Sequence, residues 1–228
     1  MATTAIDTRL DFRTAFTAVR ALQADPEDTR QVFIIFDALR GRSSIKAWQR
    51  FQTSTVGRQV LAKRRVLLDR LSDTAALAAL PEGSVGRTYL AFMEGQNLSA
   101  DGLVAASQNW EKDKLDPDIA LFRNRMRDAH DLTHILTGYG RDQLGELCLL
   151  AFMNRHLRQL GQLLIIAMSW TQMQKAERAA VVQAWRDGGK TAQNFMLLDY
   201  EALLARPLDE VRRDLGIPTP TRYQAVAP

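Results

Sequence analysis

The feature that most narrows the fold of this 228-residue chain is its apolar spacing, which repeats at three and four residues in segment after segment and almost never at two. Phe12, Phe16, Val19 and Leu22 keep helical spacing, and Val32, Ile35, Phe36 and Leu39 form a second set beyond a break expected at Pro26. Helices are predicted over residues 55–71, over 75–80 up to Pro81-Glu82-Gly83, and over 85–93. Asp116-Pro117-Asp118 reads as a cap with proline in the first turn, opening a helix over about 119–136. Gly138 and Gly140 then break the chain, and Asp142 is placed to cap the next helix. That helix runs through Leu144, Leu147, Leu150 and Ala151 towards Trp170, with room for a break. Residues 175–185, closed by Gly188-Gly189, and 208–215, closed by Gly216 and Pro218, complete the set. The best strand candidate, residues 32–36, has no second strand to pair with. The expectation is an all-α fold: a single-domain helical bundle over residues 1–217 with a C-terminal tail, 218–228.

Composition agrees. Hydrophobic residues make up 46% and charged residues 25%, and 13 glycines with 7 prolines are too few for a chain rich in turns. A domain of this length buries a core without staples. The lone cysteine, Cys148, has no partner for an internal disulfide, so nothing points to an oxidising compartment. The longest uncharged stretch of the second half, residues 159–174, falls short of the roughly 20 apolar residues of a membrane span. The first residues include Asp7 and Asp11 and no long apolar run, so neither a signal nor a transit peptide is evident. The expected location is cytoplasmic, peripheral on the inner face of a membrane. The net charge of +4 is unevenly spread. Between Ala38 and Leu68 there is no acid, but Arg40, Arg42, Lys46, Arg50, Arg58, Lys63, Arg64 and Arg65 are all present. Such a stretch suits an anionic membrane surface or an acidic partner, and equally a solvated face offset by acids elsewhere. With only Trp48 and Phe51 interleaved, it carries no nucleic-acid motif.

Two of the three histidines lie in His130-Asp131-Leu132-Thr133-His134. On a helix, His130 and His134 are about 40° apart and one turn along the axis, with Asp131 about 60° beyond His134. Two imidazoles and a carboxylate on one arc can grip a divalent metal. Glu146 is the expected fourth ligand, because helices joined by a short turn pack antiparallel and place it at the depth of His134. Gly145 beside it would let backbones approach closely. The competing reading is a hydrogen-bonded surface cluster, and spacing alone does not separate the two. A His-Asp phosphohydrolase would need an upstream histidine, which the chain lacks. Arg127, about 60° from His130 on the helix, is placed to hold a substrate carboxylate, whereas Arg123 and Arg125 fit a solvated face. His156, in the polar run Asn154-Arg155-His156, is expected to be exposed.

With these residues the chain resembles the coenzyme Q biosynthesis protein 4 family. The family's motif is His-Asp-x-x-His, eleven residues, then Glu, met here by His130, Asp131, His134 and Glu146. Leu80-Pro81-Glu82-Gly83 with Gly86, Arg87 and Tyr89, the Arg125-Met126-Arg127 lead-in, and the segment from Arg206 to Ile217 resemble family signatures in the same order. The resemblance covers residues 57–217. It departs from the family at the turn Thr137-Gly138-Tyr139-Gly140, where a proline is usual, and over 154–159, and it does not cover 22–54.

The resemblance implies a helical protein with an apolar lipid pocket, commonly a homodimer, peripheral on a membrane beside other quinone-biosynthesis enzymes. It implies oxidative decarboxylation at ring carbon 1 of a polyprenylated 4-hydroxybenzoate, with zinc as the favoured metal and iron or another divalent ion as the alternative. Residues 144–170 could line the tail pocket or form ordinary core. Asp131 either ligates the metal or orients a histidine. A non-catalytic, lipid-binding scaffold with a structural metal is the other reading of the same residues.

Overall fold

The computed structural model describes residues 9–25, 28, 30–95 and 116–225; the expected break at Pro26 and the end of the tail lie outside them. Among the described residues every regular element is helical. They are α1 (Phe12–Ala24), α2 (Arg30–Ala38), α3 (Gly41–Thr53), α4 (Thr55–Lys63), α5 (Leu67–Leu71), α6 (Thr74–Ala78) and α7 (Val85–Gly95). After the undescribed stretch come α8 (Pro117–Asp128), α9 (His130–Thr137), α10 (Gln143–Leu157), α11 (Leu160–Trp170) and α12 (Lys175–Gly188). A 3-10 turn (Phe195–Leu197), α13 (Tyr200–Leu203) and α14 (Leu208–Asp214) complete the chain.

Local chemistry sets most of the boundaries. The carboxylates of Asp11, Asp73, Asp116 and Asp142 accept from backbone N–H groups in the first turns of α1, α6, α8 and α10. Gln174 and Glu177 form a reciprocal capping box at the start of α12. Residues 32–36, the strand candidate, form part of α2, which packs on α1 and α11 instead of pairing edge to edge.

Two long helices expected from periodicity are each divided. The 119–136 stretch turns at Ala129 (φ −77°, ψ −6°), which separates α8 from α9. Apolar spacing carries on through the joint, so periodicity cannot reveal it. The 144–170 stretch breaks at Arg158, which adopts a left-handed φ of 53°. There the Asn154 amide donates to the carbonyl of Gln159 and to Gln162 Oε1, satisfying groups freed by the break.

The main core forms where α10 lies along α12, with Leu147, Cys148, Ala151 and Phe152 meeting Ala180, Val181 and Ala184. A second cluster of Phe51, Val60, Phe122 and Met196 joins α3, α4 and α8 to the 3-10 turn. A polar network ties this region down. Arg125, buried and not solvated as expected, grips Glu201 through two hydrogen bonds of 2.7 and 2.6 Å. Arg65 holds both Asp199 and Glu201. Part of the positive stretch is therefore engaged by acids outside it, since Arg40 also pairs with Asp37 and Arg64 with Asp118. No helix among the described residues is long and apolar enough to cross a membrane.

Candidate metal centre

The geometry of the site begins at the turn between α9 and α10. Gly138 ends α9 in a left-handed conformation (φ +78°) that a side chain would strain. The exposed carbonyls at that end are taken up by Arg212 of α14, which donates to Ile135 and Leu136 at 2.7 and 3.1 Å. The Tyr223 hydroxyl accepts from the Gly140 N–H at 2.9 Å and donates to Asp142, the cap of α10. At Gly145 a Cβ would lie 2.1 Å from the carbonyl oxygen of Gly140, so only glycine lets the turn fold back onto α10. The close approach expected of Gly145 is present, and it is made to the turn. α9 packs most on α7, and α10 most on α12, so the two helices meet mainly at their shared end.

Glu146, in the first turn of α10, reaches back to His134 in the middle of α9 and to His130 at its start. The two Nε2 atoms are 3.2 Å apart. Glu146 Oε1 lies 3.3 Å from His134 Nε2, and Oε2 lies 3.7 Å from His130 Nε2. One candidate ligand atom from each residue falls within 4.8 Å of the other two. Atoms bound tetrahedrally to one ion at about 2.0–2.1 Å stand roughly 3.3 Å from one another, so the donors fit a divalent metal nearly as they are placed. Two imidazole nitrogens and a carboxylate suit zinc and iron alike.

His134 is fully buried, and its Nδ1–H donates to the carbonyl of Tyr139 at 2.9 Å. That bond leaves Nε2 as the lone-pair atom facing the cluster, the orientation a metal-bound histidine needs. The ring also stacks on Phe92. His130 and Glu146, by contrast, keep 38% and 36% of their side-chain surface exposed, so the cluster opens to solvent on one side. Burial lowers the His130 pKa, but the hydrogen bond and charge of Glu146, helped by Asp131, carry it above the usual imidazole value against Arg141. Burial likewise pushes the Glu146 carboxyl up, and the two histidines outweigh it, holding it far below the usual carboxylate range.

The other sequence-predicted residues are placed differently. Asp131 is buried, and its carboxylate is not one of the three converging groups. It acts electrostatically on His130 and on the buried phenol of Tyr89 on α7. Arg127 donates through Nε and a terminal nitrogen to Asp128, at 2.9 and 2.8 Å. Arg123 lies 3.7 Å from Asp37. His156 is buried between Phe152 and Phe195 and not exposed, and burial with the nearby Arg155 depresses its pKa to about 4. Sequence reasoning missed the supports: the Tyr139 carbonyl, Arg212 and Tyr223. A backbone acceptor leaves no residue signal, and Tyr223 falls in the stretch expected to be a tail.

The sequence profile described as "Coenzyme Q (ubiquinone) biosynthesis protein Coq4" matches residues 11–221. The mitochondrial ubiquinone biosynthesis protein coq4 of Aspergillus terreus is 29% identical over 167 residues, covering 72% of this chain and 56% of its own length. The mitochondrial COQ4 homologue of Danio rerio is 28% identical over 198 residues, covering 83% of this chain and 69% of its own. The chain thus spans little more than half the length of the fungal relatives it matches. In fold it is similar to a crystal structure of a protein from Nostoc punctiforme assigned to ubiquinone biosynthesis, with a TM-score of 0.66, 21% identity, and coverage of 91% of this chain and 99% of that one. With a family profile matched along nearly all of its length, the chain belongs to the coenzyme Q (ubiquinone) biosynthesis protein Coq4 family.

Proposed function

We propose that the protein is a metal-dependent enzyme acting on a polyprenylated 4-hydroxybenzoate intermediate of ubiquinone biosynthesis. The reaction is decarboxylation and hydroxylation at ring carbon 1. The bond from that carbon to the carboxylate breaks and carbon dioxide leaves. One atom of dioxygen becomes the new hydroxyl, and the other leaves as water at the cost of two electrons from a reductant. The observation that carries this reading is the three-ligand cluster opening to solvent through His130 and Glu146. Catalytic sites keep an open position, whereas structural sites are closed by four protein ligands. A metal bound there supplies Lewis-acid polarisation of the aromatic head group.

The chain's own residues would do the rest. His134, locked by Tyr139, fixes the direction of approach. Asp131 adds negative charge near His130 from outside the ligand set, which favours a cation there. Arg127 meets a substrate carboxylate by sharing Asp128's place on its guanidinium. On this reading the partners are the quinone precursor, an anionic membrane surface, other quinone-biosynthesis enzymes and a second copy of the chain. The scaffold reading draws on a different observation, the solvent-facing apolar side of α11 at Leu160 and Leu163.

The two readings part in one assay. Protein loaded with zinc or iron is incubated with dioxygen, a two-electron donor and a short-tailed substrate. Carbon dioxide release matched by ring hydroxylation is expected. No turnover in any metal form, with lipid binding retained, would favour the scaffold.

A further inference from the structure

We infer that a groove on the far side of α12, bounded by the end of α11 and the 218–225 segment, binds a phosphate ester that carries a free hydroxyl group. The groove encloses about 390 Å³. Its wall is cationic: Arg178, Arg186, Lys190 and Arg222 line it, against the single carboxylate of Asp187. Lys190 already donates to Asp187 Oδ1 at 2.8 Å. No carboxylate among the described residues pairs with Arg178, Arg186 or Arg222. Three guanidinium groups without a carboxylate partner surround one hollow, with Arg178 held by its Nε–H on the Trp170 carbonyl at 3.0 Å. They favour an oxyanion, and phosphate suits them best through paired, charge-assisted hydrogen bonds.

A bare anion leaves part of the groove unsatisfied. Asp187 is 2% exposed, and its Oδ2 has no hydrogen-bond partner among the described residues. Gln183, one turn earlier on α12, donates from Nε2 to Thr221 at 2.9 Å, while its buried Oε1 also lacks a partner. Both acceptors belong to residues that line the groove, and buried acceptors call for a donor. Inorganic phosphate at neutral pH has only P–OH donors, on the same oxygens that the guanidinium groups seek, and a free cation is repelled by those groups. A phosphate ester that also carries free hydroxyl groups meets both demands.

Such an ester has two sources, a soluble glycerol phosphate or the head group of a phosphatidylglycerol-type lipid. Trp170, which lines the groove, ends the face of α11 carrying Leu163, Ile166 and Ala167. Leu163 on that face is 45% exposed, so an acyl chain would have an apolar path leading away from the groove.

The test pairs calorimetry with vesicle flotation. Glycerol 3-phosphate should bind several-fold more tightly than inorganic phosphate, because its carbinol hydroxyl groups can donate to Asp187 and Gln183 while its phosphate oxygens stay with the guanidinium groups. Phosphatidylcholine vesicles containing phosphatidylglycerol should capture more protein than vesicles containing phosphatidic acid if the source is a lipid; equal capture with tight glycerol 3-phosphate binding identifies the free ester. The double variant Arg186→Glu, Arg222→Glu should lose roughly tenfold or more in affinity for the preferred probe. Its metal content and thermal midpoint should stay at wild-type values. Gln183→Leu should keep phosphate binding and lose most of the preference for the ester. Unchanged affinity in the double variant, no preference for glycerol 3-phosphate over phosphate, or no binding of any probe would overturn the assignment, whatever the metal centre does.

Discussion

The helices α10 and α11 follow one another in the chain, are both largely apolar, and have opposite fates. α10 buries Leu144, Leu147, Cys148, Leu149, Ala151 and Phe152, together with the polar Asn154 and His156. α11 is richer in apolar side chains for its length, and its buried residues are only Gly161, Gln162 and Ile165. The difference lies in the neighbours. α10 is pressed along its length by α12 and pinned at its start by the Gly140 turn and Tyr223. α11 rests on α1, α2 and one side of α10, touches α12 at its end through Trp170 and Arg178, and leaves Leu160 and Leu163 exposed. Apolar content therefore does not set burial, and only the helix held on several sides can fix Glu146 to the accuracy a metal site needs.

The comparison can be broken from the buried side first. Phe152→Ala on α10 removes a ring packed against Phe195 and Tyr139, and should cost about 3–5 kcal/mol in urea unfolding. A loss no larger than that of an α11 surface change would undo the contrast.

His156 gives a pH signature of the same burial. Its folded pKa, about 4, lies below the ordinary value of 6.5, so the unfolded chain binds the proton first. Stability is complete above pH 6.5 and falls as the pH drops from there towards 4, by about 3 kcal/mol in all. In His156→Leu the slope across that window should flatten; an unchanged slope would place its origin in other groups.

Smaller effects belong to the surface. Among the cations of the 38–68 stretch, Arg65 is held by Asp199 and Glu201, whereas Arg42, Lys46 and Arg50 are exposed on α3. Changing those three to serine should weaken flotation on anionic vesicles by about 1 kcal/mol per charge at low salt. Lys63→Ser, Arg64→Ser and Arg65→Ser, which also disturb internal ion pairs, test docking less cleanly. Smallest of all, Leu163→Gln on α11 should change folding stability by no more than about 0.5 kcal/mol. A cost of several kcal/mol would mean that the exposed face is covered in the folded protein.

Much of this was legible in the sequence, and the rest failed for one physical reason. Helix type, the Asp142 cap, the role of Gly145 and the meeting of His130, His134 and Glu146 all follow from partners a few residues away or across one turn. The burial of Arg125 depends on Glu201, and that of His156 on Phe195. Neither partner is visible in local spacing, so both residues read as exposed. Asp131 shows the limit of the helical arc. Angular counting puts it near the histidines, but only the packing of α9 on α7 decides that its carboxylate faces Tyr89's surroundings and stays out of the converging set. The 218–225 segment reads as a tail because nothing local reveals that Tyr223 braces the metal-bearing turn.

The central claim is that His130, His134 and Glu146 form one metal site, and metal content of the purified protein tests it most directly. Wild type should carry about one divalent ion per chain. His130→Ala and His134→Ala should carry almost none, since a methyl group replaces a ligand. Glu146→Gln should retain a weakened site, and Asp131→Asn should lose roughly 10–100-fold in affinity by removing a charge just outside the ligand set. Asp69→Asn, exposed and distant in sequence, is the control and should match wild type. His156 is unsuitable as a control because it is part of the core. Near-empty histidine variants that remain folded are the expected result; full metal occupancy in both would contradict the account.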